Sequence, residues 1–244
     1  LKRNVSLEQS LDRKRVLRPL LEQADAVVTP SRVFQEIYQE VGFKRVRTIP
    51  NGLPKLSLKP RHPSPSGRVR IGHIGDMSPH KGFDLLEAAL RQNRFENIEL
   101  VGISHASDAH SETRDVWGAT PVLLKGKVAQ EFVGDLYAEL DVLVAPSACV
   151  ESFGLVTREA NAAGLWVIAS DRGAIGEDVR PGVDGFVIDV SSPKALVDVL
   201  TLINETPGEF LVPAPTRAMS GVDHQATETL ALLESILLHR GANC

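Results

Sequence analysis

Apolar residues follow two spacings along this chain, and the alternation between them predicts its secondary structure. Short, largely apolar segments, such as residues 69–74 and 141–145, are typical of buried strands. Between them, apolar residues recur every three or four positions, as in residues 7–23, which is typical of amphipathic helices. The predicted strands are residues 24–29, 45–49, 69–74, 98–101, 121–124, 141–145, 166–169 and 185–189. The predicted helices are residues 7–23, 31–40, 82–92, 130–139, 154–163, 193–204 and 224–239.

This regular alternation predicts the fold class. Short strands that alternate with helices indicate βαβ units with right-handed crossovers. We therefore predict an α/β, Rossmann-like parallel sheet that is covered by helices on both faces. Ligands of such sheets bind beyond the carboxyl ends of the strands, so the loops that follow the strands are where chemistry is expected.

Residues 53–67 interrupt the series. The stretch contains four prolines and three serines, a composition that favours an extended linker over a packed element. We therefore predict a boundary here, between a unit at residues 1–52 and a Rossmann-like domain at residues 68–244.

Composition narrows the function classes. Because only 5% of the residues are aromatic while 43% are hydrophobic, the core is expected to be aliphatic. The net charge of −4 gives no support to a nucleic-acid-binding protein, which normally carries a basic face. Residues 11–20 and 43–70 are locally basic. They are interpreted as solvated faces, and peripheral contact with an anionic inner membrane face stays open as an alternative.

Cysteine usage and the absence of targeting signals suggest the cytoplasm. Cys149 and Cys244 do not make a disulfide framework, and no metal-ligand spacing is present. No apolar run approaches the roughly 20 residues that span a bilayer, and the first residues do not look like a signal peptide. Because the chain opens on Leu1 rather than Met, we expect a piece of a longer protein.

A first candidate loop, residues 75–82, follows the predicted strand 69–74 and leads into a helix. Gly75 would let the backbone approach a phosphate closely, and a helix N-terminus offers free N–H donors with a positive dipole. Lys81 adds a mobile positive charge that suits a phosphate oxygen. Alone the pattern is weak, because a lysine at a helix start is commonly a plain surface residue.

A second candidate loop, residues 146–154, follows the predicted strand 141–145. Glu151 lies in this loop and Glu159 in the helix after it, eight positions further on. The helix N-terminus between the two carboxylates would face an anion. This arrangement suits a diphosphate with a sugar on each side, because carboxylates accept hydrogen bonds from sugar hydroxyls. An isolated glutamate pair of this kind is more often an exposed helix residue and a loop acid.

Together these motifs resemble the group-1 retaining glycosyltransferases of the GT-B fold. The run from Glu151 to Ser170 is similar to the family's most diagnostic stretch, and residues 75–82 are similar to its phosphate loop. Residues 24–31, followed by Pro50-Asn51-Gly52, are similar to the junction between the family's two domains. The resemblance implies the C-terminal, nucleotide-sugar-binding half of a GT-B fold, preceded by the last elements of the N-terminal acceptor half.

The resemblance also implies residue roles. The family transfers a sugar from a nucleotide diphosphate to an acceptor with retention of the anomeric configuration. Lys81 and Gly75 would meet the donor phosphates, Glu151 would contact the donor sugar as the catalytic carboxylate, and Glu159 would hold the ribose. The remaining expected contacts are made by the backbone of Phe153, Gly154 and Leu155 with sugar and phosphate, and by Lys127 and Val128 with the base.

The expected partners are a UDP-, GDP- or ADP-linked sugar and, through an acceptor half that this chain lacks, a glycan or lipid acceptor. No cofactor and no metal are expected, because the helix N-terminus and Lys81 can neutralise the diphosphate and the chain has no Asp-x-Asp pair. We therefore expect these 244 residues to bind a nucleotide diphosphate without transferring sugar.

One residue departs from the family pattern. Asp76 stands where the family usually has an arginine, and an acid beside a diphosphate costs binding unless it is turned away or paired. Arg172 is the candidate for compensation. Asp76 keeps open the alternative of a non-catalytic nucleotide-sugar-binding or regulatory module. A dinucleotide-dependent oxidoreductase is a third reading, opposed by the lack of a G-x-G-x-x-G loop with a following acid.

Overall fold

The computed structural model describes residues 6–104, 107–109 and 111–241, and it confirms the predicted helices and strands. The strands are β1 Val27–Thr29, β2 Val46–Thr48, β3 Val69–Gly75, β4 Ile98–Ser104, β5 Glu112–Trp117, β6 Thr120–Lys125, β7 Val142–Ala145, β8 Trp166–Ser170 and β9 Gly185–Ile188. The helices are α1 Leu7–Gln23, α2 Arg32–Glu40, α3 Phe83–Gln92, α4 Val133–Ala138, α5 Leu155–Ala162, α6 Pro193–Glu205, α7 Pro207–Phe210 and α8 Val222–Gly241.

A seven-stranded sheet organises residues 68–210. Its strand order is β5-β6-β4-β3-β7-β8-β9, and every pairing except the one at the β5 edge is parallel. One core cluster joins α3 and α6 to the sheet, and a second joins α4 and α5 to it, so helices cover both faces as predicted. The fold is therefore α/β and Rossmann-like.

The strand order reverses at β3, which fixes where a ligand is expected. The chain runs from β3 outward to β4 on one side, and it later returns to place β7 on the other side. Such a switch point opens a crevice between the loops that leave the two adjacent strands. The loops after β3 and β7 are residues 76–82 and 146–154, which are the two loops singled out by the sequence.

The antiparallel edge strand β5 is a correction to the purely parallel sheet expected from the sequence. Its residues are exposed except for Trp117, so the segment shows no apolar run. Trp117 Nε1 donates a 2.7 Å hydrogen bond to Asp115, and its ring packs edge-on against Phe83. A polar edge strand of this kind is held by pairing with β6 and by one anchored aromatic side chain.

The predicted linker, residues 53–67, forms no helix or strand, but it is held against the domain. The side chain of Arg61 is only 9% exposed, and its Nη2 lies 3.1 Å from Asp141 Oδ1. Arg70 pairs with the same carboxylate through Nε at 2.9 Å. Burial, followed by the positive charge of Arg70, lowers the pKa of Arg61, and the Asp141 carboxylate opposes this. The segment is thus irregular and anchored to the domain, and its role as a linker stays a prediction.

The parts on either side of the predicted boundary are also joined by α8. This helix returns to the first segment, which is the described part of the unit at residues 1–52. Arg240 Nη2 pairs there with Asp25 Oδ2 at 2.6 Å, and Gln225 Oε1 accepts a hydrogen bond from Gly52 N–H at 2.8 Å. The assignment of residues 1–52 and 68–244 to two domains stays a prediction.

Several surface expectations can be compared with the structure. The basic run at residues 11–20 lies on α1, where nearly every side chain is exposed, in agreement with a solvated face. Cys149 is a free and exposed thiol, and Cys244 lies outside the described residues. Among the helices of the described chain, none is both long enough and apolar enough to cross a bilayer.

Candidate functional site

The loop after β3 and the loop after β7 are bound to each other through one carbonyl group. The carbonyl oxygen of His80 accepts hydrogen bonds from Ala148 N–H at 3.0 Å, from Cys149 N–H at 3.3 Å and from the Ser147 hydroxyl at 3.1 Å. Gly82 has a positive φ of 70°, and a side-chain carbon there would overlap the carbonyl of Pro146. The glycine is therefore required where the two loops cross.

This crossing brings Lys81 and Glu151 into contact, although they are 70 positions apart. Lys81 Nζ lies 2.5 Å from Glu151 Oε1, and the Ser147 hydroxyl donates to the same oxygen at 3.0 Å. The side chain of Lys81 is 43% exposed and that of Glu151 is 22% exposed. A cation and a carboxylate thus stand side by side at the mouth of the crevice.

The start of α5 forms the next wall. Gly154 adopts a left-handed conformation, with φ 77°, and a side-chain carbon there would collide with the backbone of Ile175. The Thr157 hydroxyl holds the turn, because it lies 2.9 Å from the Gly154 carbonyl and 2.8 Å from the Ile175 carbonyl. The first N–H groups of the helix have no partner one turn back, so they can bind an anion in the crevice.

A cleft of about 420 Å³ lies between these elements. Six of the nine predicted site residues line it together: Gly75, Lys81, Glu151, Phe153, Gly154 and Leu155. Sequence reasoning did not assign Asn51 or Ser147 to this site, and both line it as well. Asn51 belongs to the Pro50-Asn51-Gly52 turn, which the sequence analysis interprets only as a junction between two domains. The position of this turn next to the cleft could have pointed to Asn51 as a lining residue.

The other three predicted residues lie outside this wall. Glu159 Oε2 accepts a 2.9 Å hydrogen bond from the hydroxyl of Tyr137. Lys127 is exposed, and Val128 packs against the core cluster around α4 and α5. Their assignment to the ribose and the base stays a prediction.

Burial changes the acid–base properties of two groups near the cleft. It raises the pKa of Glu159, and the hydrogen bond from Tyr137 opposes that shift. It also lowers the pKa of His73, with opposing contributions from the Val144 and Asp76 backbones. A neutral His73 with its proton on Nδ1 can donate to the Val144 carbonyl, 3.1 Å away. His73 also lines the cleft, where it packs against Phe83 with ring centroids 5.1 Å apart.

Asp76 is exposed and lines the cleft, so the departure from the family pattern lies inside the candidate site. Arg172, which was considered as its compensation, pairs instead with Asp171 at 3.4 Å and with Asp189 at 3.5 Å. It is not among the residues that line the cleft. Within the described part of the chain, no cluster of three or more His, Cys, Asp or Glu side chains is arranged to hold a metal ion.

A sheet with its switch point at β3, and with the loops after β3 and β7 lining one cleft beside it, defines an α/β protein of the doubly wound, Rossmann-like class. A family model described as glycosyl transferases group 1 matches residues 68–204, more than half of the chain. The chain therefore belongs to the group 1 glycosyl transferases, and the resemblance inferred from the motifs is confirmed. These matches give no support to the oxidoreductase alternative.

Two curated relatives illustrate the family. The chain is 27% identical over 225 residues to a lipopolysaccharide 1,2-N-acetylglucosaminetransferase of Salmonella typhimurium, with 83% of this chain covered. It is 27% identical over 232 residues to a phosphatidyl-myo-inositol mannosyltransferase of Mycobacterium leprae, with 91% covered. The matched regions span 58% and 62% of the length of these relatives.

Solved structures show the same fold. A sucrose-phosphate synthase from Thermosynechococcus elongatus superposes with a TM-score of 0.74 at 23% identity, covering 98% of this chain and 65% of the other. The Anabaena HepE protein in complex with UDP and glucose superposes with a TM-score of 0.73 at 20% identity, covering 95% and 69%.

Proposed function

We propose that this chain binds a nucleoside diphosphate sugar in the cleft between the loops after β3 and β7, as the donor half of a retaining glycosyltransferase. One observation carries the proposal: Gly75, Lys81, Glu151 and the start of α5 come from distant parts of the sequence and line a single cleft. The cleft lies at the carboxyl end of the sheet, at its switch point, where such folds bind ligands.

The chemistry of the cleft suits the two ends of a donor. The free N–H groups at the start of α5 and the ammonium of Lys81 provide positive charge for a diphosphate. The carboxylate of Glu151 offers acceptors for the hydroxyls of the sugar. Lys81 Nζ and Glu151 Oε1 neutralise each other at 2.5 Å. A diphosphate would attract Lys81 and release Glu151 Oε1 toward the sugar, at small cost, because partly exposed ion pairs contribute only about 0–1 kcal/mol.

The named relatives guide the choice of donor and acceptor. One solved structure of HepE is a complex with UDP and glucose, and another is a complex with UDP-glucose. The curated relatives carry names that refer to lipopolysaccharide and phosphatidyl-inositol. We therefore include UDP-, GDP- and ADP-sugars as candidate donors, and a glycan or lipid as the acceptor. Acceptor binding belongs, on this proposal, to the part of the relatives that this chain does not span, so residues 1–244 alone would bind donor without transfer.

Calorimetric titration tests the donor half of the proposal. UDP, GDP, ADP and their sugars are titrated into the wild-type chain, into Lys81→Ala and into Lys194→Ala. The last variant is a matched control, because it removes a lysine that is 78% exposed and paired with Asp198 on α6. A charge-assisted contact is worth roughly 1.5–3 kcal/mol, so Lys81→Ala should weaken binding by that amount. Both variants should keep their stability within about 0.5 kcal/mol.

Two results would count against the proposal. If no nucleotide binds the wild-type chain, the donor function is lost. If Lys81→Ala binds as tightly as Lys194→Ala, the loop after β3 is not the phosphate site.

A further inference from the structure

A second cleft adjoins the candidate donor site and holds a network of charges. It lies between the first segment of the chain and the Rossmann-like domain, and it shares Asn51 and Phe153 with the donor cleft. Its charged lining consists of three arginines and two carboxylates: Arg32, Arg158, Arg217, Glu177 and Asp178. None of these five residues lines the donor cleft itself.

Arg158 forms the inner end of this network. It is buried in α5, and its guanidinium lies over the ring of Phe153, 3.9 Å from the centroid. Its Nη2 pairs with Asp178 at 2.7 Å and with Glu177 at 3.2 Å, and its Nη1 donates to the Ala174 carbonyl at 3.2 Å. A planar guanidinium that is stacked and held on its edge fixes the ring it covers. Phe153 in turn belongs to the loop that carries Glu151 and the start of α5.

Arg32 forms the outer end, and it comes from the other side of the predicted boundary. It is the first residue of α2, and both its backbone N–H, at 2.9 Å, and its Nε, at 3.1 Å, donate to Glu177 Oε1. The Arg32 side chain is 71% exposed, whereas Glu177 is only 8% exposed. The other carboxylate oxygen of Glu177 binds Arg158, so one side chain joins Arg32 to Arg158.

Folding of the Rossmann-like domain does not need the charge of Arg32. Arg158 and Arg217 already pair with Glu177 and Asp178, and Arg217 Nη1 lies 3.2 Å from Asp178 Oδ1. A third cation that is mostly exposed adds little stability of its own. Arg32 is distinguished by its origin in a different segment of the chain and by its pairing with Glu177, the carboxylate that also binds Arg158.

We propose that Arg32, Glu177 and Arg158 form an ionic bridge that positions Phe153, and with it the donor loop 151–155, according to the placement of the first segment. Arg158 is a positioning residue and Arg32 is the contact that couples the two parts. When the first segment is docked, the bridge is complete and the donor loop is held in the form that lines the cleft. When the segment moves away, the loop loses one of its supports and binds donor less tightly. The effect on the donor rests on the proposed function, but the effect on the loop does not.

The test compares two exposed arginines that each join the first segment to the rest of the chain. Arg32→Ala removes the guanidinium from the bridge and leaves only the backbone N–H of residue 32 on Glu177. Arg240→Ala breaks the 2.6 Å pair with Asp25, neither of which lines the two clefts, and Arg240 has a similar exposure of 68%. Amide hydrogen exchange of residues 151–158 is measured in both variants and in the wild type, together with nucleotide affinity. Arg32→Ala should exchange faster in this peptide and should bind nucleotide about three- to tenfold more weakly, in the range of residues that couple sites without touching the ligand. Arg240→Ala should match the wild type in both measurements, and Arg32→Lys should fall between.

Unchanged exchange in Arg32→Ala, or an equal rise in Arg240→Ala, would overturn the bridge. Faster exchange with unchanged affinity, in a chain that binds nucleotide, would overturn its coupling to the donor. A wild-type chain that binds no nucleotide would remove the proposed function, and the exchange of residues 151–158 would still decide whether the bridge holds the loop.

Discussion

At the scale of single residues, the candidate site contains an aspartate where the resemblance to the family implies an arginine. Asp76 lines the cleft and is exposed, and Arg172 is paired with Asp171 and Asp189. The loop after β3 therefore places one lysine and one aspartate in the cleft proposed to bind the diphosphate. This charge balance should lower affinity without changing where the ligand binds, because the backbone donors of α5 are unaffected.

Asp76→Arg tests whether Asp76 lowers affinity for the nucleotide, because the variant should bind it more tightly. Removing a like charge and adding an opposite one next to a diphosphate should tighten nucleotide binding by more than about 1.4 kcal/mol, which is tenfold. Titration of the same nucleotide into Asp76→Arg and Asp76→Asn separates the added cation from the lost anion. Affinity that stays level in both variants would show that Asp76 faces away from the bound diphosphate.

The two glutamates should separate ribose from sugar. Glu159→Gln should weaken free nucleotide and nucleotide sugar alike, by roughly 1–2 kcal/mol. Glu151→Gln should weaken only the nucleotide sugar, and it should lower turnover when the acceptor half is present, because sugar contacts can strengthen in the transition state. Equal losses from both variants on free nucleotide would refute this division of roles.

Glu159 also predicts a dependence of stability on pH. Burial raises its pKa above the ordinary value of 4.5, so the folded protein holds this proton more tightly than the unfolded chain does. Stability should therefore fall as pH rises from 4.5 through the raised pKa, and level off above it. Melting temperatures measured across this range should show a smaller fall in Glu159→Gln, whose amide can still accept the Tyr137 hydrogen bond. Parallel curves for the two proteins would mean that burial does not raise the pKa of Glu159.

At the scale of elements, the site depends on how α5 begins. Gly154 is left-handed and lies against Ile175. Gly154→Ala should destabilise the chain by at least about 1–2 kcal/mol from the left-handed conformation alone. Gly208→Ala is the control, because Gly208 lies in α7 with open space around it and no positive φ, and alanine favours a helix. Urea unfolding of the two variants should give shifts of different size. A Gly154→Ala chain as stable as Gly208→Ala would contradict the described turn.

The elements also show what the sequence could reveal. The buried strands β3, β7 and β8 can be predicted because most of their residues are apolar, and the longer helices because their apolar residues recur at helical spacing. Strand β5 was missed because it is exposed along almost its whole length, so pairing with β6 rather than burial defines it. The linker could be recognised from its prolines, but its attachment through Arg61 and Asp141 depends on a contact between distant residues that no local pattern encodes.

In the candidate site, too, local motifs could be recognised in the sequence, whereas contacts between distant residues could not. Gly75, Lys81 and the run from Glu151 to Leu155 could be found because each lies in a loop after a strand and because the motifs resemble one family. The direct pairing of Lys81 with Glu151 could not be predicted, since it requires the parallel neighbours β3 and β7 to place two loops against each other. The bridge from Arg32 to Arg158 could not be predicted for the same reason, because the sequence around an arginine does not show which distant carboxylate it pairs with.

At the scale of the whole molecule, two parts of the chain meet beside the donor cleft. Asn51 from the first segment lines that cleft, and α8 returns to the same segment through Arg240 and Asp25. The matched regions span 58% and 62% of two curated relatives, so the proposed acceptor side lies beyond what these contacts describe.

The central claim is that a nucleoside diphosphate binds between the loops after β3 and β7, and backbone amide NMR tests it most directly. The uniformly ¹⁵N-labelled chain is titrated with the diphosphate that calorimetry selects. The account predicts that the largest shifts fall on Phe153, Gly154 and Leu155 and on residues 75–82, with residues of α6 on the opposite side of the sheet unchanged. Shifts centred elsewhere, for example along the first segment and α8, would contradict it.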